Sequence, residues 1–185
     1  MSGGALWGGR FEGSLADTAV ELSFSLHYDQ ALVFHDIRLN QVHAQALERA
    51  GVLSAEESKE AQAGLESIKT AIQSGELSID SDDEDIHSFV ERELVQRCGT
   101  LGKKIHTGKS RNDQVATDMR LFMKEAMQGL LDDLNDLMKA IWTLASQHSD
   151  QIFPGFTHFQ VAQPVVFGHH LLAYYEKLKR DKGRL

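Results

Sequence analysis

From Asn112 to about Ser149, apolar side chains return every three or four positions: Val115, Met119, Phe122, Ala126, Leu130, Leu134, Leu137, Ile141 and Leu144. That spacing marks one face of an α-helix, and Met123, Met127, Leu131 and Met138 widen the stripe. Only Gly129 interrupts it. At 1.5 Å per residue such a helix is roughly 55 Å long. A compact globule of 185 residues has a radius of gyration of about 16 Å, hence a diameter on the order of 40 Å. The stripe therefore needs other long helices, from further sequence or from other subunits. The alternative is a kink near Gly129, with the second half folded back as a hairpin.

The rest of the chain reads as helical too. There is no proline before Pro154 and only one after it, Pro164, and proline is what breaks a helix interior. A first helix is expected from about Tyr28 to Arg49, with Asp29 in its first turn, a broad apolar face and Gly51 as a stop. Ser54-Ala55-Glu56-Glu57 reads as a capping box opening a second helix towards Gln73. The acidic run from Ser81 to Asp85 is expected to start a third, reaching about Arg97. Pro154-Gly155 opens a loop, and Pro164 suits the first turn of a last helix carrying Val165, Phe167, Leu171, Leu172, Tyr175 and Leu178. The expected class is all-α. It comprises an N-terminal helical domain over residues 1–110, then the first long helices of a central bundle over 111–185.

Composition narrows the function. With 42% hydrophobic and 25% charged residues, the chain has the balance of a soluble globular protein. No apolar run is long enough for a bilayer and no leader pattern is present, so no membrane role is expected. Cys98 is the single cysteine, which points to a reducing, cytoplasmic setting. A net charge of −8 argues against nucleic acid, whose binding needs a basic surface. It leaves room for a small anion in a local basic pocket. No metal site is expected from the nine histidines. His169 and His170 are adjacent, there is no HExxH or CxxC, and no second histidine stands four residues after His158.

Two polar clusters break the helical pattern. The first, His106-Thr107-Gly108-Lys109-Ser110-Arg111-Asn112-Asp113, directly precedes the long helix. Free N–H groups and the positive end of the helix dipole make such a place receptive to an anion, and Lys103, Lys104, Lys109 and Arg111 add charge. The bland alternative is an ordinary Ser or Asn cap with solvated basic neighbours. A phosphate-binding P-loop is excluded: its first glycine should stand where Lys103 is, and no strand precedes it. The second cluster runs from Gly155 to Pro164 and presents Thr157, His158 and Gln160 between helices. A histidine titrating near neutrality can move a proton, although many loop histidines only form hydrogen bonds.

Taken together, four stretches resemble the argininosuccinate lyases of the fumarase/aspartase superfamily: Leu6 to Phe11, Asp83 to His87, His106 to Gln114 and Pro154 to Pro164. They extend from one end of the chain to the other. The resemblance implies reversible β-elimination of argininosuccinate to arginine and fumarate, with no cofactor. A base removes the proton beside a carboxylate, donors stabilise the carbanionic intermediate, and an acid protonates the leaving guanidino nitrogen. It also implies the roles. His158 is the catalytic proton-transfer group; Ser25, Asn112 and Thr157 bind substrate; Asp29, Asp85, His87 and Arg111 line or orient the site. For Asp85 and His87, a plain helix start is an equal alternative. The family usually has arginine where Lys109 stands and leucine where Phe159 stands. Lys109 lacks a planar fork, so no bidentate substrate contact is assigned to it.

The resemblance further implies a homotetramer in which long helices are pooled and each site collects residues from three chains. One family motif, a flexible serine-containing loop that also supplies a lysine, does not occur in these residues. The chain is therefore expected to be the N-terminal part of a longer lyase, and inactive or nearly so alone. Two other readings remain at this level. One is a catalytically silent, crystallin-like relative; the other is a helical oligomerisation module.

Overall fold

The computed structural model describes residues 16–185, so the Leu6 to Phe11 motif lies outside the described residues. The elements are α1 (Asp17–Ser23), α2 (Leu26–Asp29), a 3-10 turn (Gln30–Leu32), α3 (Val33–Arg49), α4 (Ala55–Gln73), α5 (Ile86–Cys98), α6 (Thr100–Lys104), α7 (Arg111–Gln147), β1 (Ile152–Thr157), β2 (Gln160–Val166) and α8 (Phe167–Lys182). Among the described residues the elements are helices apart from one hairpin, as the periodicity predicts. They form two compact units, the first ending at Phe122 and the second beginning at Met123.

In the first unit, α4 starts where the capping box predicts. The Glu57 N–H donates to Ser54 Oγ at 3.1 Å, and the Ser54 N–H donates to Glu57 Oε2 at 3.0 Å. Two of the helix's orphan donors are thus satisfied reciprocally. The expected helix from Tyr28 to Arg49 is three pieces, because the 3-10 turn separates α2 from α3. The third helix begins at Ile86, later than Ser81. Ser81 donates to Asp83 at 2.6 Å, and Arg92 pairs with Asp83 at 2.8 Å, so the acidic run is held as a loop. Helices α1 and α6 are unforeseen; at 7 and 5 residues they are too short for a helical repeat to register. The core lies among α3, α4 and α5, where Ile37, Ala44, Ala61, Leu65, Ile68, Phe89, Val90 and Leu94 are buried. Each large side chain among them contributes about 1.5–3 kcal/mol by leaving water.

In the second unit the structure departs from expectation. Helix α7 runs unbroken for 37 residues through Gly129, so no fold-back occurs there. The Pro154 to Pro164 segment is an antiparallel hairpin rather than a loop, pairing Ile152 with Val166, Phe153 with Val165, Pro154 with Pro164 and Thr157 with Gln160. Its alternation is hidden in the sequence by the two prolines and by a register slip between Pro154 and Phe156. A two-stranded ribbon is all edge, and an edge tolerates the missing proline N–H. At the slip, a Cβ on Gly155 would meet Gln163 O at 2.8 Å, so only glycine passes. Pro164 therefore belongs to β2, not to the first turn of a helix, and α8 starts at Phe167. The first N–H groups of α8 are satisfied by the end of α7: Phe167 N donates to Gln151 O and Gly168 N to His148 O.

Candidate active site

Six of the expected residues lie in the first unit, around the starts of α5 and α7. Ser25 donates to Asp29 Oδ2 at 2.7 Å, and its own N–H donates to Glu84 O at 2.8 Å. Asp29 Oδ1 accepts the Ile86 N–H at 3.1 Å, and Asp85 Oδ1 accepts the Ser88 N–H at 2.6 Å. Both carboxylates thus cap α5, where the positive end of its dipole favours them. Asp85 Oδ2 also lies 3.3 Å from Arg111 Nε, and Arg111 reaches Ser88 Oγ at 3.2 Å. Arg111 therefore ties the first turn of α7 to the first turn of α5.

Asn112 stands exposed in that first turn of α7. Its N–H donates to Ser110 Oγ, while the Ser110 N–H donates to Asp113 Oδ2 at 2.9 Å. Ser110 is thus the cap of α7. Helix α7 starts where the sequence predicts, with Arg111 and Asn112 as its first two residues. The adjoining loop is held by His43 Nε2 against Thr107 O at 2.9 Å.

His87 is turned inward. It is buried, and its Nδ1 lies 2.9 Å from Asp36 Oδ1 and 3.4 Å from Asp118 Oδ2. Asp36 also accepts from Asn40 Nδ2 at 3.0 Å and from Gln114 Nε2. Lys109 points into the same cluster and donates to Asn40 Oδ1. Burial pulls the His87 imidazole down, but its hydrogen bond to Asp36 and the nearby charge of Asp36 raise it overall. Burial also lowers Lys109, against the attraction of Asp36 and Glu91. Burial and then the charge of Asp36 push Asp118 up to about 8.

Asp36, Asn40, Gln114 and Asp118 escaped sequence reasoning, which treated these helices as apolar stripes. A signal was available. Asp36 and Asn40 are four apart within the apolar series Val33, Ile37 and Ala44, and Gln114 and Asp118 are four apart at the start of α7. Asp36, His87 and Asp118 offer ligand atoms within 4.8 Å of one another. The ammonium of Lys109 and the amide donors of Asn40 and Gln114 already surround them, which makes the group a hydrogen-bonded knot rather than a cation cage.

Thr157 and His158 belong to the second unit, at the tip of the hairpin. Thr157 is paired with Gln160, and His158 and Phe159 form the turn with φ of 49° and 59°. Both turn residues are left-handed, as a two-residue type I′ hairpin turn requires. Asn and Gly normally fill such positions, and a left-handed residue with a Cβ costs roughly 1–2 kcal/mol. The imidazole and the Phe159 ring are exposed.

The helical fold is that of the fumarate lyases. A fumarate lyase from Mesorhizobium is similar with a TM-score of 0.68 and 20% identity, over 94% of this chain and 40% of its own. A structure from Brucella melitensis described as fumarate lyase:delta crystallin gives 0.71 and 19%, over 90% of this chain and 44% of its own. The family model described as Lyase matches residues 9–185, and the chain belongs to that family. Among curated relatives, argininosuccinate lyase from Thioalkalivibrio sulfidiphilus is 47% identical over 185 residues, all of this chain and 39% of its own length. Argininosuccinate lyase from Streptococcus uberis is 45% identical over 184 residues, covering 40% of its length. The chain thus spans about two fifths of the length of these relatives.

Proposed function

We propose that the protein to which these residues belong is an argininosuccinate lyase, cleaving argininosuccinate reversibly to arginine and fumarate without a metal or cofactor. The observation that carries this reading is the unbroken similarity to argininosuccinate lyases at 47% identity. The capped, basic start of α7, where Arg111 is held by Asp85, supports it. In this reading Ser25, Asn112 and Thr157 bind the substrate, while Asp29, Asp85 and Arg111 hold the helix starts in register. His87 acts from behind, through Asp36. His158, presented on a strained turn, transfers the proton. The turn places the imidazole by backbone geometry rather than by packing, which suits a group that must meet a ligand.

The working unit is a cytoplasmic homotetramer whose sites draw on three chains, with the helical domain ending near residue 110 and the bundle beginning at 111. The exposed stripe of α7 supports that assembly. Its partners are small molecules: argininosuccinate, arginine and fumarate. These 185 residues contain no serine loop to stabilise the intermediate, so by themselves they release no fumarate. Two assays test the proposal. The full-length gene product should release fumarate from argininosuccinate, and His158→Asn should lower kcat by about 10²–10⁴, the usual contribution of general acid–base catalysis. A full-length protein without that activity would leave a silent relative.

A further inference from the structure

Two buried carboxyl groups stand side by side in the first unit, and they are treated very differently by their surroundings. Asp36 is well supplied: His87 and Gln114 reach its Oδ1, and Asn40 reaches its Oδ2, which leaves one acceptor site of the carboxylate open. Asp118 is fully buried, and no donor among the described residues makes a hydrogen bond to either of its oxygens. A carboxylate in that position would be a buried charge without a hydrogen bond, facing His87 Nδ1 at 3.4 Å, and leaving a buried charge without hydrogen bonds is costly. A neighbouring cavity of about 10 Å³, room for a single molecule, is lined by Asn40, His87, Lys109 and Gln114, not by Asp118. A neutral carboxylic acid resolves the conflict, because its O–H can donate to the acceptor site left open on the carboxylate beside it.

We propose that Asp36 and Asp118 share one proton at neutral pH, Asp118 as the acid and Asp36 as the carboxylate, and that this pair positions the first turn of α7. The pair bridges three segments. Asp36 is on α3, Asp118 is one turn beyond Gln114 on α7, and His87 joins both from α5. Gln114 donates to Asp36 and accepts from Arg111 at 2.9 Å, so the pair reaches Arg111, and with it the Asp85 contact, through one side chain. Asp36 and Asp118 touch no expected substrate group and act through Gln114 and Arg111. They are positioning residues.

The charged and titratable groups facing the pair come from every packed element. His87, Glu91 and Asp85 belong to α5 and its cap, Lys109 and Arg111 to the start of α7, and His35 lies beside Asp36 on α3 with its ring against Phe122. Lys109 favours ionisation of both carboxyls, yet burial and the neighbouring Asp36 charge outweigh it and hold Asp118 protonated up to about 8. The consequence for catalysis rests on the lyase reading; the shared proton does not.

Isotope-edited infrared spectroscopy of the 185-residue chain, with ¹³C in the aspartate side-chain carboxyls, tests this directly. At pH 6.5 a carbonyl band of a neutral aspartic acid is expected, bleaching as the pH is raised through about 8. Asp118→Asn should remove the band, and Asp36→Asn should move its midpoint down by a unit or more, since the like charge is gone. Absence of any labelled acid band at pH 6.5 in the unaltered chain overturns the proposal, whether or not the variants fold. It is also overturned if zinc added to the chain binds tightly at one equivalent and abolishes the band, because a cation would then hold the pair. In the full-length protein Asp118→Asn should keep kcat/KM near pH 7 within about threefold and lose the decline above pH 8, whereas Asp118→Ala loses activity at all pH. Equal loss in both variants, with no change in the pH profile, would mean the pair only fills space. A confirmed band in a full-length protein that releases no fumarate would overturn the lyase reading and leave the pair standing.

Discussion

At the scale of single residues, the left-handed turn of the hairpin and the buried knot each carry stored cost, and each makes a measurable claim. Phe159 has φ of 59° and an exposed ring, so nothing in its own unit compensates the backbone strain. Phe159→Gly should relieve roughly 1–2 kcal/mol, which is about a 5–30-fold change in a local opening equilibrium. Hydrogen exchange of the Thr157 and Gln160 amides is expected to slow by a factor in that range; unchanged exchange would mean the turn is not strained. The knot makes a claim about pH. Asp118 binds its proton in the folded state up to about 8, while the unfolded chain releases it near the ordinary 3.8. Between those values the folded state holds the extra proton, so stability falls as the pH rises, by at most about 1.4 kcal/mol per unit. His87, also raised, works in the same direction: its contribution is full below its unfolded value and is lost as the pH climbs through the folded one. Lys109, lowered by burial, opposes both only in the alkaline range below its unfolded value. Urea midpoints of the first unit should therefore fall from pH 6 to pH 8, and the fall should be smaller in Asp118→Asn, where only the His87 contribution remains.

At the scale of elements, caps and close approaches decide where helices begin. The capping box of α4 was legible because both halves are local: Ser54 and Glu57 are three residues apart and each needs only the other. Ser54→Ala should cost about 1 kcal/mol, which thermal unfolding would show as a drop of several degrees. Ser74→Ala, at an exposed hydroxyl that bonds the Ala71 carbonyl of its own helix, should change little. The start of α8 was not legible, because what sets it is not local. Gly168 sits where a Cβ would meet Ala145 O at 2.6 Å, and Gln151 O caps Phe167 from the preceding segment. No sequence window around Pro164 contains those partners, so the sequence alone places the proline in the first turn of a helix that begins three residues later. Gly168→Ala forces the α8 backbone away from α7 and should destabilise the second unit by about 1–3 kcal/mol, the usual cost of overpacking. Exchange protection along α8 would report it, and an unaltered α8 would show that the crossing has slack.

At the scale of the whole molecule, the long helix was the most legible element and the knot the least. The stripe on α7 repeats over many turns, so no single substitution could hide it. The knot depends on Asp36, His87 and Asp118, which are 51 and 31 positions apart along the chain and look like isolated polar intrusions until the helices pack. The sequence marks Arg111 and Asp85 separately, but their contact at 3.3 Å needed the fold. What the stripe demands is a partner. Met123, Leu130, Leu137 and Leu144 recur at intervals of seven, and all four are exposed. A seven-residue apolar repeat on a straight helix is the seam of a left-handed supercoil, because it keeps one face towards a neighbouring helix. Each of these side chains would contribute about 1.5–3 kcal/mol on full burial, and in the isolated chain only a second copy can supply the surface. The 20.6 kDa chain is therefore expected to sediment as an oligomer at micromolar concentration, with dissociation on dilution. Leu130→Asp with Leu137→Asp places two charges in the seam and should yield a monomer. The first unit, whose core lies among α3, α4 and α5, should keep its unfolding midpoint in that variant. A chain that is monomeric at every concentration before any substitution would mean that the seam waits for helices outside these 185 residues and that self-association is not what closes it.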